Sequence, residues 1–346
     1  MKKFSAILAG ALCILAAASC GNSSSQADKK APADMSNIPD TAFAIGNLSL
    51  VQLNCKPDYS AESATQVLMG MDCRFVEKGD GWTKVLTPEG YQGWCPTSSI
   101  VIMDRKGYGD WLVRPKYIVT SYFTILRAAP ADNADCVSDA VLGDILLQGN
   151  SSQGTPDFIG VELNDGRKAF ARRGDIADYS QWLETRSDSP ENIVATAKSL
   201  VGFPYVWGGT SVKGVDCSGF TKTVYFLNGV ILQRDASQQV KTGKPVDISK
   251  GLDSLQVGDL IFFGTEASGD KPERISHVGL YIGGGRFIHS SCMVRLSSLL
   301  KDDPDYYDRK PLKACRIIGN EDQGLGIATI RRDLNDKLTK YTDNGK

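Results

Sequence analysis

The sequence predicts two small all-β units followed by an α+β domain, set behind an export segment. Three observations carry this. Short strand-like runs separated by turn residues extend from about residue 41 to 182, in two units of similar order. From residue 183 a helical pattern comes first and strands follow, with no βαβ alternation. At the N-terminus two lysines precede a run of about a dozen mostly apolar residues that ends in small residues and a cysteine.

Lys2 and Lys3, the run from Ile7 to Ala18 and the ending Ser19-Cys20-Gly21 describe a secretory signal over residues 1–20. The run is shorter than the ~20 apolar residues that a spanning helix needs. Ala17-Ala18-Ser19-Cys20 resembles a bacterial lipobox, although Ala17 stands where leucine is usual. That resemblance makes Cys20 the expected lipid-attachment residue and implies a lipid-anchored, exported protein, facing the periplasm. Residues 21–40 are rich in Ser, Lys, Asp and Pro and read as a flexible tether.

The first β unit, residues 41–108, is expected to hold strands at 48–53, 65–69, 73–77, 81–86 and 91–95. The second, residues 109–182, is expected to hold strands at 122–127, 141–143, 145–147, 158–163 and 166–171. In the domain from 183 to 320, Ser189-Pro-Glu-Asn192 starts a helix, with Ser as N-cap and Pro at the first helical position. Ile193, Val194, Ala197, Leu200 and Val201 follow at helical spacing, and Gly202-Phe-Pro204 ends it. A second helix is expected from Cys217 to Leu227, stopped by Asn228-Gly229. Strands are expected at 259–263, 277–282 and 286–290. The extension from 321 to 346 is polar, with a helix expected near 327–338 and no visible chemistry.

Composition narrows the function. Lys+Arg number 39 against 40 Asp+Glu, a formal charge of −1, which argues against nucleic acid as a partner. Without Cys13 and Cys20, seven cysteines remain, an odd set that leaves at least one free thiol. No CxxC pair is present, which argues against a zinc knuckle, and nucleophilic thiol chemistry implies neither a metal nor another cofactor. Only two histidines occur, His277 and His289, so imidazole chemistry must use one or both.

Cys217 stands at an expected helix N-terminus, where the dipole and the unpaired amides favour a thiolate. A neighbouring imidazole would add to this. Gly283-Gly-Gly285 reads as a hairpin turn. A three-residue loop closed by Ile282 and Arg286 sets His289 opposite Gly279, with His277 two residues further on the same face. A two-residue loop would put the histidines on opposite faces. The apolar alternation of Val278, Leu280, Ile282 and Ile288 favours the first register.

Asp216-Cys-Ser-Gly-Phe220, Tyr205-x-Trp-Gly-Gly209, Val257-Gly-Asp-Leu-Ile-Phe-Phe263 and Ser276-His-Val-Gly-Leu-Tyr-Ile282 resemble the NlpC-type cell-wall cysteine peptidases. These are papain-like enzymes that cut peptidoglycan stem peptides. The two leading β units resemble bacterial SH3-like domains. The combination resembles the dipeptidyl-peptidase VI subgroup, the γ-D-glutamyl-L-diamino-acid endopeptidases. In that subgroup the first SH3-like domain walls the cleft, and a free N-terminal L-Ala is required. The resemblance implies Cys217 as nucleophile, His277 as its base and His289 as the group that orients His277. It further implies an oxyanion hole from Tyr205 and the Cys217 amide. Asp216, Ser218 and Trp207 would line the substrate side, with Asp216 pairing with the L-Ala ammonium. Ser237 lies in a substrate-contact segment, and Glu62 would be an acidic contact from the first SH3-like domain. The expected partners are peptidoglycan-derived peptides and a membrane. Two alternatives stay open: an endopeptidase acting on intact murein, and a non-catalytic wall-binding lipoprotein.

Overall fold

The computed structural model describes residues 41–149 and 154–342; the expected signal, Cys20 and the tether lie outside them. Ala42–Gly46 (β1), Val51–Asn54 (β2), Ser63–Val67 (β3), Asp72–Lys78 (β4), Trp82–Leu86 (β5), Gln92–Pro96 (β6) and Ile100–Asp104 (β7) form an antiparallel sheet. Its order is β3-β2-β6-β5-β4-β1-β7. Ala44, Val51, Leu53, Val67, Val85 and Ile100 fill its core. The expected strands correspond to β2–β6. The additional β1 and β7 pair with each other from opposite ends of the unit, a contact without a local turn signal.

The helix Arg105–Val113 (α1) is a further addition, capped by Asp104, whose carboxylate accepts from the Gly107 N–H at 2.7 Å. Two glycines in RKGYGDWLV hide it from a propensity reading. The second sheet comprises Lys116–Val119 (β8), Phe123–Arg127 (β9), Cys136–Val141 (β10), Ile145–Gln148 (β11), Phe158–Glu162 (β12), Lys168–Arg172 (β13) and Ile176–Asp178 (β14). Its order, β10-β9-β13-β12-β11-β8-β14, repeats the plan of the first. Both units are SH3-like. They are welded together: Met69 of the first lies in the core of the second, and Ile145 N–H donates to its carbonyl at 2.8 Å. Gly70 has φ +73°, and a Cβ there would sit 2.2 Å from the Ile145 carbonyl oxygen, so this crossing requires glycine.

Tyr179–Glu184 (α2) leads to Pro190–Ser199 (α3), whose N-cap Ser189 accepts from the Asn192 N–H at 3.3 Å. The short pair Thr210–Ser211 (β15) and Gly214–Val215 (β16) precedes Cys217–Leu227 (α4). Val230–Ile231 (β17), Ala236–Gln239 (α5) and Lys244–Val246 (β18) follow. Then come Leu260–Thr265 (β19), Arg274–Gly283 (β20), Arg286–Ser291 (β21), Met293–Ser298 (β22) and Lys313–Arg316 (β23). The antiparallel sheet β18-β23-β19-β20-β21-β22 packs against α4. All of α4 except Phe226 is buried, so it is a central helix. Its Phe220 and Val224 pack in one core with Ile193, Leu260, Phe262, Val278, Leu280 and Ile288. This is the α+β domain that the helix-then-sheet order predicts, and it has the papain-like architecture that the resemblance implies.

The C-terminal segment is structural rather than idle. Ala328–Thr329 (β24) pairs with β17, and Ile330–Tyr341 (α6) packs on α1. Lys337 pairs with Asp72 at 2.8 Å and Asp333 at 2.6 Å. Arg331 donates to the Leu183 and Glu184 carbonyls. Tyr341 sits edge-on to Phe43 and Tyr108. One helix thereby ties the first SH3-like unit to α2.

Candidate active site

The site starts where the chain turns into α4. Asp216 has extended backbone geometry and caps the helix, accepting from the Gly219 N–H at 2.7 Å. Gly219 is required because a Cβ would lie 1.9 Å from the Gly209 carbonyl oxygen, so the Trp207-Gly-Gly209 loop lies flat on the helix start. Cys217 is the first helical residue and is 8% exposed. Cys217 lies in one core cluster with Val278, the β20 residue that follows His277 in the chain.

The histidines come together as the alternation requires. Leu280 faces Ile288 and Tyr281 faces Phe287, the register that sets His289 opposite Gly279. The turn itself differs from the expected closure: Gly283 pairs with Arg286, and a register shift falls between Tyr281 and Gly283. Gly283, Gly284 and Gly285 all have positive φ, which lets the tighter turn close without disturbing the histidine face. A Cβ at Gly279 would meet the Phe287 ring at 2.5 Å, so glycine there makes room for the imidazoles. His277 Nε2 and His289 Nδ1 are 2.6 Å apart, and His289 Nε2 lies 3.1 Å from Ser297 Oγ. Phe263, Phe287 and Tyr307 surround the pair.

Burial dominates the electrostatics. It pushes the Cys217 thiol up to about 11, with Asp216 adding to the rise and Arg234 and the Val278 and Ser218 backbone opposing it. Burial also pulls His277 down to about 4, assisted by Arg309, and His289 down to about 3. Burial therefore favours a neutral Cys217 thiol and neutral His277 and His289 imidazoles. The helix-dipole argument for a resting thiolate is outweighed by desolvation. Tyr205 is raised to about 12 by burial and by Cys217 and Asp216, which keeps its hydroxyl a hydrogen-bond donor.

Residues 202–310 match the NlpC/P60 family, and residues 55–100 match the bacterial dipeptidyl-peptidase Sh3 domain. The dipeptidyl-peptidase 6 of Lysinibacillus sphaericus is 30% identical over 74% of this chain and 92% of its own length. This chain belongs to the NlpC/P60 family.

As an NlpC/P60 protein it is a cysteine peptidase. The γ-D-glutamyl-L-lysine dipeptidyl-peptidase of Bacillus cereus is 34% identical across 65% of this chain and 66% of that relative. The crystal structure of an NlpC/P60 family protein from Bacillus cereus superposes with TM-score 0.65 at 27% identity. It covers 79% of this chain and 99% of that one.

Within this NlpC/P60 cleft the remaining expected residues take distinct places. Trp207 is exposed and donates its indole N–H to Glu62 at 3.0 Å, so the first SH3-like unit does reach the site. Ser63 presses on Gly208, Thr210 N–H donates to Gln66 at 2.9 Å, and Arg234 donates to Thr65 at 2.8 Å. Ser237 is half-buried on α5. Ser218 is buried, accepts from Arg234 at 3.1 Å and lies 3.3 Å from Asp216 Oδ1.

Asp216 corrects the expectation that it meets an ammonium. Its carboxylate is paired with the buried Arg234 at 2.5 Å and also accepts from the Gly208 and Gly219 amides. Its lone pairs are engaged inside the protein. The neighbouring acid Asp235 accepts from the Tyr91 hydroxyl of the first SH3-like unit at 3.1 Å. Burial raises the Asp235 carboxyl, and Arg234 counters this. Burial raises the Cys55 thiol, and Glu62 and Asp235 both add to the rise. Tyr91, Arg234 and Asp235 escaped the sequence reading as site residues. Tyr91 and Asp235 are 144 positions apart, and only the docking of two domains joins them.

The seven cysteines among the described residues are all free thiols, four of them buried. This fits small apolar side chains in cores better than a disulfide framework.

Proposed function

We propose that this protein hydrolyses the bond between γ-D-Glu and the diamino acid, diaminopimelate or lysine, in peptidoglycan stem peptides that carry a free N-terminal L-Ala. The observation that carries the chemistry is the hydrogen-bonded His277–His289 pair, His277 on β20 and His289 on β21, with Val278 of β20 packed in the same core as Cys217 at the start of α4. In this reading Cys217 Sγ gives its proton to His277 and attacks the γ-carbonyl. The Tyr205 hydroxyl and the Cys217 amide receive the oxyanion, each donor worth ~3 kcal/mol. The diamino acid leaves with a proton from His277, and water deprotonated by His277 hydrolyses the thioester. His289 holds His277 in orientation, as the third group of a triad does.

The free-amine requirement draws support from the wall built by the first SH3-like unit. In this reading Glu62, which reaches Trp207, and Asp235 supply the negative charge that an L-Ala ammonium needs, with Trp207, Ser218 and Ser237 on the substrate side. Purified sacculi and free L-Ala-γ-D-Glu-diaminopimelate are to be digested side by side, with products identified by mass. Release of diaminopimelate from the tripeptide, with sacculi far slower, is the expected result. Equal rates would favour an endopeptidase of intact wall, and no cleavage of either would favour a wall-binding protein. The same proposal includes export with Cys20 lipidated and the enzyme anchored to a membrane, facing the periplasm. Metabolic labelling with a radioactive fatty acid, lost in Cys20→Ser, tests that part.

A further inference from the structure

The hydrogen-bond chain from His277 does not stop at His289. We infer that Ser297 is a positioning residue for catalysis, because its hydroxyl accepts the His289 Nε2–H and thereby fixes the tautomer of both imidazoles. This rests on the reading of His277 as the base.

The argument is a proton inventory. His277 Nε2 meets His289 Nδ1 at 2.6 Å, so Nδ1 of His277 is the nitrogen left to take a proton from the thiol. A neutral imidazole has one N–H. For His277 Nδ1 to be a lone pair, its proton must sit on Nε2 and donate to His289 Nδ1. His289 must then carry its own proton on Nε2. The acceptor in place there is Ser297 Oγ, 3.1 Å away. In the reverse chain, Ser297 donates to His289 Nε2 and His289 donates to His277, whose remaining proton then faces the sulfur. That arrangement cannot accept a proton from Cys217.

The transition state selects between them. When the thiol proton moves from Sγ to His277 Nδ1, the sulfur keeps the electron pair and His277 becomes a double donor. Its Nε2–H must be accepted by His289 Nδ1, and so His289 Nε2–H must be accepted by Ser297. No proton travels beyond His277. Ser297 and His289 are 2% and 1% exposed, so water gives no easy substitute. The Phe287 and Tyr307 rings pack on His289, and the partner of its Nε2 is Ser297 Oγ. An orphaned buried N–H is costly, so without Ser297 the chain would drift to the unproductive tautomer. The charges that bear on the pair are Arg309 and Asp216 on His277, and Arg295 on His289.

Ser297→Ala and Ser297→Thr are to be compared with the parent by steady-state kinetics on the tripeptide and by nitrogen-15 NMR of the imidazoles. The chain has only two histidines, so the ring signals are readily assigned. Ser297→Ala should lose about 10- to 100-fold in kcat with KM little changed. Its acid limb should move to lower pH, and its His289 signal should leave the Nε2–H form. Ser297→Thr, which keeps the hydroxyl, should restore most of kcat and the parent spectrum. Parent-like kcat, pH limb and tautomer in Ser297→Ala would overturn the inference while leaving the base assignment intact. Full activity in His277→Asn would instead overturn the base assignment itself.

Discussion

Desolvation at two buried residues sets how the chemistry depends on pH. In the proposed mechanism His277 must be neutral to accept a proton, and burial holds it near 4 rather than 6.5. Protonation inactivates it only below that lowered value. The acid limb of kcat/KM should therefore lie well under the ordinary histidine range, between about pH 4 and 5, and a limb at 6.5 would contradict the burial argument. Arg234 supplies a second residue-scale test. Arg234→Met removes the partner of buried Asp216 and leaves its charge uncompensated. Breaking a buried pair costs about 3–5 kcal/mol, so urea unfolding should show a large loss of stability. A loss under 1 kcal/mol would mean that Asp216 is not dependent on this pairing.

At the scale of elements, the hairpin β20–β21 shows what the sequence could reveal. Alternating apolar residues fixed which face carried the histidines, because a one-residue slip would expose Val278, Leu280 and Ile288. The turn was less legible. Three consecutive glycines allow several closures, and the choice of Gly283 opposite Arg286 comes from packing around them. Helix α4 and its Asn228-Gly229 stop were legible for the same reason as α3: caps and apolar spacing are local. Helix α1 and strands β1, β7, β8 and β14 were not, since distant pairing or tertiary packing holds them. The crowded Gly279 provides the element-scale prediction. Gly279→Val should push the Phe287 ring and His289 apart and reduce kcat at least tenfold, read beside thermal unfolding to confirm that the protein stays folded. Unchanged kcat would show that the face tolerates a side chain.

For the whole molecule, the contacts of Glu62 with Trp207 and of Asp235 with Tyr91 are products of domain docking. Neither Glu62 nor Tyr91 carries a motif, and Asp235 is held by a capping box on α5 that reads as ordinary helix capping. The clamp by α6 belongs to the same scale. Ending the chain after Ile327 removes β24 and α6 and uncovers Phe43, Tyr108 and Asp72. The melting temperature should fall by several degrees, and an unchanged one would mean that the helix is dispensable. The central claim, a Cys217 peptidase whose first SH3-like unit demands a free amine, is tested most directly by one ratio. Compare kcat/KM for L-Ala-γ-D-Glu-diaminopimelate with that for its N-acetylated form. Loss of the ammonium that Glu62 and Asp235 would balance should slow the acetylated peptide by two orders of magnitude or more, roughly 3 kcal/mol. Equal values for the two peptides would contradict the account.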